Sequence, residues 1–71
     1  MQVVYSGRLA GEFTGFDGDM VFETCSGGKW KQSEYKYWYH YEYMPLVEIK
    51  LENDGRYYLY VADNSVPVVP D

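Results

Sequence analysis

The sequence predicts an all-β domain in which five or six antiparallel strands are short, apart from one long strand that bends. The main observation is an alternation of side chains that extends over residues 35–51. Tyrosine takes every second position from Tyr35 to Tyr43, and the same parity continues through Pro45, Val47, Ile49 and Leu51. Successive side chains of a strand point to opposite faces, so this period indicates a strand with one aromatic and apolar face. The rest of the chain consists of short segments between breakers, and nothing in it requires a helix.

The length of 71 residues fits a single domain, residues 1–71, because so short a chain cannot bury two separate cores. Disulfides often stabilise small domains, but Cys25 is the only cysteine and cannot form an intramolecular bridge. Aromatic residues make up 20% of the chain, and each ring buries about 150–250 Å² when it is enclosed. We therefore expect aromatic packing to provide much of the stability.

Charge and hydropathy narrow the range of partners. Eleven acidic and six basic residues give a net charge of −5, which disfavours nucleic acid through the overall electrostatic field. No apolar run approaches the roughly 20 residues that span a bilayer, and the chain does not begin with the basic and apolar regions of a secretory signal. We expect a cytoplasmic protein that does not bind a membrane.

The first half of the chain predicts two strands. Residues 8–13 read as the first strand, with Leu9 and Phe13 on one parity and Gly11 between them, where a bulge is expected. Residues 15–19 contain two glycines and two aspartates and read as a turn. The second strand follows, and its apolar face is expected to carry Met20, Phe22 and Thr24.

A glycine-rich hairpin loop is expected at residues 26–28. If these three residues form the loop, Thr24 pairs with Trp30 and Phe22 pairs with Gln32. Phe22 and Trp30 then lie on the same side of the hairpin. A two-residue loop would instead place them on opposite sides, because a shift of one residue reverses the face of every side chain in a strand.

A second hairpin loop is expected at residues 53–55. A two-residue turn would place aliphatic side chains on the charged face, so we predict a three-residue loop. This loop pairs Leu51 with Tyr57, Ile49 with Leu59 and Val47 with Val61. It also places Gly55 at the left-handed position, where a residue without Cβ is least strained.

The length of the alternating segment and the positions of the prolines predict how the strands assemble. The long alternating segment would measure some 55 Å if it were straight, so it must bend, and proline makes Met44-Pro45 the expected place. One bent strand among five or six short ones predicts a small SH3-like barrel. A final strand at residues 66–69 is expected at an edge because Pro67 limits pairing. The alternative is an open, twisted sheet that dimerises to cover its aromatic face.

One motif also carries a resemblance that covers most of the chain. It begins with Gly27, Trp30 and Gln32 and continues through the alternating tyrosines to Pro45, Val47 and Ile49. This pattern resembles a family of short uncharacterised bacterial domains with an SH3-like β-barrel fold. The lead-in of Gly11, Glu12, Phe13, Gly15 and Phe16 and the segment Val21-Phe22 fit the same pattern. The resemblance implies a small barrel and brings no activity, cofactor or catalytic residue with it.

No group of residues predicts catalysis or metal binding. His40 has no nearby cysteine or second histidine, so it is a poor metal ligand. Cys25 lies beside a glycine-rich turn without a neighbouring base, which favours an unreactive thiol. Asp17 and Asp19 lie in a loop that lacks the spacing of a calcium site. We expect no enzyme activity, no metal and no cofactor.

The aromatic residues provide the candidate site. We expect the odd-numbered tyrosines to lie mainly in the core, because an apolar face with the right period is first of all a core face. The other parity should then face solvent, and Trp38 would lie there between Lys36 and His40. Exposed aromatic surface rimmed by charge marks recognition sites. The predicted partner-binding residues are Trp38, His40, Tyr58 and Tyr60.

These observations predict a noncatalytic module that binds a protein or peptide, or that self-associates as a homodimer. It would use this aromatic surface and a strand edge. The alternative is a binder of single-stranded nucleic acid or of a cationic ligand through Trp30 and Trp38. Lys29, Lys31 and Lys36 would support nucleic acid, whereas Glu42 or Glu34 would supply the anion for a cationic ligand.

Overall fold

The computed structural model describes residues 2–71, and this range contains eight β-strands and no helix. The strands are β1 (Gln2–Arg8), β2 (Glu12–Phe16), β3 (Val21–Glu23), β4 (Lys29–Gln32), β5 (Trp38–Tyr43), β6 (Leu46–Leu51), β7 (Tyr57–Val61) and β8 (Asn64–Pro70). The predicted all-β class is confirmed. Residues 2–71 therefore contain no helix that could cross a membrane.

Six strands form one curled antiparallel sheet in the order β1-β6-β7-β8-β4-β3. The two outer strands approach each other through a bridge between Leu9 and Thr24. Beside this bridge the Cys25 N–H donates to the Arg8 carbonyl at 3.0 Å. The sheet therefore forms a half-barrel whose edges are joined at one point, in agreement with the predicted small barrel of short antiparallel strands.

A second sheet, which the sequence pattern did not predict, contains only β2 and β5. It supplies Phe13 and Phe16 to the core, and the Phe13 ring lies 6.0 Å from Phe22 of the main sheet, measured between centroids. The other buried apolar residues of the cluster are Leu9, Val47, Ile49, Leu59, Val61, Val66 and Val68. The core thus lies between the curled sheet and the small sheet.

The first and last predicted strands need correction. Residues 8–13 do not form one strand, because β1 ends at Arg8 and β2 begins at Glu12, with Gly11 at a φ of +75° between them. The last strand does not lie at an edge, since β8 pairs with both β7 and β4. Pro67 is tolerated because the pairing with β4 begins one residue later, at Val68 opposite Gln32.

Both predicted hairpins form with three-residue loops, one of them shifted. The second has the predicted register, with Ile49 opposite Leu59 and Gly55 at a φ of +82°. In the first, Phe22 pairs with Trp30, so the predicted register was wrong by one residue on each strand, although the two rings do share a side. The loop is Cys25-Ser26-Gly27, and Gly27 takes the left-handed position at a φ of +97°.

The largest difference from the sequence prediction is at Met44-Pro45. The break occurs where proline predicted it, but it separates strands of different sheets. Met44 has a φ of +48°. On its two sides, different sets of alternate residues face the core: even-numbered residues before it and odd-numbered residues after it. In β6 the odd-numbered Val47 and Ile49 are buried, as predicted, whereas in β5 the odd-numbered tyrosines are exposed. The prediction that these tyrosines belong mainly to the core is therefore wrong.

Candidate recognition surface

Tyrosines at alternate positions form an exposed row along β5 and the segment before it. We call this set the tyrosine row, and its members with their exposed fractions are Tyr35 (73%), Tyr37 (67%), Tyr39 (68%), Tyr41 (53%) and Tyr43 (64%). Rings of about 150–250 Å² each, more than half exposed, present an aromatic surface on the order of 600 Å². This area is at the upper end of what the largest apolar patch of a monomeric protein usually covers.

Hydroxyl groups distinguish the tyrosine row from the tyrosines elsewhere in the chain. Tyr5 donates to the Arg8 carbonyl at 2.7 Å, Tyr58 to Asp54 Oδ2 at 2.7 Å and Tyr60 to Glu52 Oε2 at 2.7 Å. No hydroxyl of the row makes a hydrogen bond within residues 2–71. The row therefore offers both ring faces and polar tips that are not used by the fold.

Two glycines and a buried glutamine lie beside the segment that carries the row. Gly15 lies opposite Tyr39 in the β2–β5 pairing, and a Cβ there would lie 1.9 Å from the Trp38 carbonyl oxygen. The side chain of Gln32 is buried and donates through Nε2 to the carbonyls of Asp17 and Glu34, the latter at 2.8 Å. Gln32 thereby fixes the loop that leads into the row. The Tyr35 ring lies beside the other glycine, Gly18.

Trp38 and His40 do not form the outward patch that the sequence predicted. Trp38 is half-buried, and its ring lies 5.2 Å from Phe16 and 6.3 Å from Phe13 in the core. The His40 ring stacks on the indole with a centroid distance of 5.0 Å, and its Nε2 shares a hydrogen bond of 3.2 Å with Glu42 Oε1. These side chains extend the core to the rim of the small sheet, and the tyrosine row occupies the outer face in their place.

Tyr58 and Tyr60 lie on β7, away from the small sheet, and both are half-buried. The hydrogen bond from Tyr60 to Glu52 is the main cause that raises the pKa of Tyr60 to about 12, followed by burial and the charge of Glu52. The bond from Tyr58 to Asp54 likewise raises the pKa of Tyr58 and lowers that of Asp54. Because both hydroxyls are held by neighbouring carboxylates, these side chains serve the hairpin that carries them.

The residues of the alternative nucleic-acid site are divided between the sheets. Trp30 lies on β4 of the main sheet and packs against Tyr57 with a centroid distance of 5.1 Å, whereas Trp38 lies on β5 of the small sheet. The ammonium of Lys36 donates to the Ser65 carbonyl at 2.7 Å, so this charge is already used inside the fold.

Clefts and possible ligand groups add little to the candidate site. An open cleft of about 220 Å³ lies at the start of β5 beside Phe16, Met20 and Tyr37. Larger open clefts, of about 490 and 430 Å³, lie outside the small sheet. Cys25 is exposed and free. In the part of the chain that the structure describes, no three histidine, cysteine or acidic residues group in a way that could hold a metal ion.

Sequence reasoning found the tyrosine row as a pattern but placed it on the wrong face. The signal that could have corrected this is Met44-Pro45, since the parity of an alternating pattern need not be kept across a proline break. Comparisons of the chain with protein-family models, with curated proteins and with solved structures give no match. The resemblance to short bacterial barrel domains therefore stays a prediction.

Proposed function

We propose that this domain is a noncatalytic binding module that holds an extended peptide segment of another protein across the tyrosine row. The exposure of five alternate tyrosines along β5 and the segment before it carries this proposal. Aromatic rings are enriched at recognition sites because they offer a large contact area and lose little conformational entropy on binding. A β-strand that carries such a row presents its rings at a spacing of about 6.6 Å, which an extended peptide can follow with every second side chain.

The charge of the domain favours a basic peptide. The net charge is −5, and exposed Glu12 pairs with Tyr43 at one end of the row. Arginine and lysine side chains stack on tyrosine faces, and each such contact is worth about 0.5–1 kcal/mol at an exposed site. We infer that the preferred segment is extended, alternates arginine or lysine with apolar residues, and has few acidic residues.

Peptide display followed by titration tests this function. Peptides selected on the wild-type domain should be basic and extended, and they should lose affinity for a variant with Tyr37→Ser, Tyr39→Ser and Tyr41→Ser. The matched control is Val21→Ser on β3, which removes a side chain that is 50% exposed on the other sheet and should leave affinity unchanged. Amide shifts in NMR should map the peptide to β5 and β2.

Two outcomes would contradict this proposal. Selected peptides could bind the triple tyrosine variant as well as the wild type, which would place the site elsewhere. Alternatively, single-stranded oligonucleotides could bind with an affinity that falls steeply between two salt concentrations, which would favour the nucleic-acid function.

A further inference from the structure

The outer edge of β5 is a strand edge that no other strand within residues 2–71 covers. Within residues 2–71, β5 has β2 as its only hydrogen-bonded neighbour, whereas the outer strands of the main sheet approach each other at the Leu9–Thr24 bridge. An exposed strand edge is a template for pairing with another chain, and proteins that avoid this place lysine or proline there. The sequence of β5, WYHYEY, contains neither.

We propose that β5 pairs with β5 of a second copy of this chain, antiparallel about a two-fold axis at Tyr41. This inference goes beyond the proposed peptide binding, because it uses the edge of β5 and leaves the tyrosine row open. In this register His40 lies opposite Glu42 of the partner subunit, and Tyr39 lies opposite Tyr43 of the partner subunit. Two-fold symmetry creates each of these pairs twice.

Charge complementarity selects this register. Within one chain His40 and Glu42 already interact at 3.2 Å, so pairing about Tyr41 brings two imidazoles and two carboxylates into one alternating cluster. An imidazole N–H donates to a carboxylate whether the ring is neutral or protonated. Pairing about His40 would instead place the two imidazoles opposite each other and set Trp38 against Glu42 of the partner subunit. Opposite charges stabilise a directly opposed cross-strand pair, and like charges destabilise it.

The pairing enlarges the small sheet from two strands to four. A two-stranded sheet is marginal by itself, and a second copy extends it to four strands in the order β2-β5-β5-β2. Both tyrosine rows then lie on the same side of one sheet, because antiparallel partners that are directly opposed share a face. The dimer thus presents a continuous aromatic surface about twice as wide as that of one copy.

The expected affinity is modest. Six paired residues bury an area below the roughly 800 Å² per partner of a standard stable interface, so we expect a dissociation constant in the micromolar range or weaker. Sedimentation equilibrium from about 10 μM to about 1 mM covers this range. Wild-type protein should convert from monomer to dimer within it.

Charge variants test the register. His40→Glu alone places two carboxylates opposite each other, and Glu42→Lys alone places an ammonium opposite an imidazole that has lost its acceptor. Each variant should weaken the dimer by about tenfold or more, since the unfavourable pair occurs twice. An equimolar mixture of the two variants should form a heterodimer, because the carboxylates of one variant then lie opposite the basic groups of the other. Mixing cannot relieve repulsion within one chain. Recovery of dimer formation in the mixture therefore shows that the two residues are in contact between chains.

A second pair of variants keeps the test valid if His40→Glu does not fold. Tyr41→Lys places two ammonium groups at the axis and should abolish the dimer, whereas Tyr35→Lys, outside β5, should leave it intact. A protein that is monomeric up to 1 mM, a mixture that does not recover, or a dimer that tolerates Tyr41→Lys would each overturn the pairing. Peptide binding measured on dilute, monomeric protein is unaffected by that result, so the two proposals fail separately.

Discussion

The indole ring of Trp38 and the imidazole ring of His40 stack face to face, with centroids 5.0 Å apart and planes that differ by 3°. The Trp38 ring also packs against Phe16, with a centroid distance of 5.2 Å. These contacts form a continuous column from the core to the rim of the small sheet. They also explain why the neighbouring tyrosines point outward, because adjacent residues of a strand face opposite sides.

Trp38→Ala should therefore destabilise the fold, whereas Tyr39→Ala should not. Truncation of a buried tryptophan costs about 3–5 kcal/mol, and for the half-buried Trp38 we expect about 2–4 kcal/mol. Tyr39, 68% exposed, should contribute less than about 1 kcal/mol. Urea denaturation of both variants measures the two free energies. A larger loss for Tyr39→Ala would mean that the faces of β5 are opposite to those described.

Gly15→Ala should be among the most damaging glycine substitutions. Its φ of +110° disfavours any side chain, and a Cβ would lie 1.9 Å from the Trp38 carbonyl oxygen, a backbone atom that cannot turn away. Strain and the displacement of β5 together should cost about 3 kcal/mol or more. The matched control is Gly11→Ala, which has a φ of +75° but open space around the new Cβ and should cost only about 1 kcal/mol. Equal denaturation midpoints would contradict the close approach of β2 and β5.

The sequence predicts local features of this fold well and their tertiary arrangement less well. The Gly55 loop was predictable because its register is fixed by residues close in the chain, which leave one amphipathic solution. The parity change at Met44 was not, because it depends on the assignment of β5 to a separate sheet with β2. The strand β1 was missed since its side chains are mostly exposed and carry no alternation of buried residues.

The candidate site was predicted as a set of aromatics but with the inner and outer residues exchanged. Trp38 was assigned to the surface from the charged neighbours on its parity, yet the contacts with Phe13 and Phe16 decide its position. Tyr58 and Tyr60 carry aromatic surface, but carboxylates four and eight residues earlier in the chain accept hydrogen bonds from their hydroxyls, and only the folded hairpin shows this.

The turn between β7 and β8 should be improved by a single substitution. Ala62 and Asp63 both have positive φ, 48° and 66°, as the two-residue turns that connect twisted strands require. Asparagine adopts this conformation more readily than alanine, so Ala62→Asn should raise the free energy of unfolding by about 0.5–1 kcal/mol. Thermal denaturation measures the gain, and Ala10→Asn, at an exposed position without positive φ, is the control. A destabilised Ala62→Asn variant would show that the turn has a different conformation.

Tyr60 should make the stability of the domain depend on alkaline pH. Its hydroxyl donates to Glu52 at 2.7 Å, and this bond, with burial and the charge of Glu52, raises the pKa to about 12 from the usual 10.0. Because the pKa is higher in the folded state, the contribution of Tyr60 is complete below pH 10 and is lost as the pH rises from 10 to about 12.

The variant Glu52→Gln tests this coupling, since the amide still accepts a hydrogen bond but carries no charge. The pKa of Tyr60, followed by NMR of labelled tyrosine, should fall toward 10.0, and the loss of stability between pH 10 and 12 should become shallower. Tyr60→Phe is the control, because it removes the titrating group and should abolish this part of the pH dependence altogether. An unchanged Tyr60 titration in Glu52→Gln would mean that the negative charge of Glu52 does not contribute to the raised pKa of Tyr60.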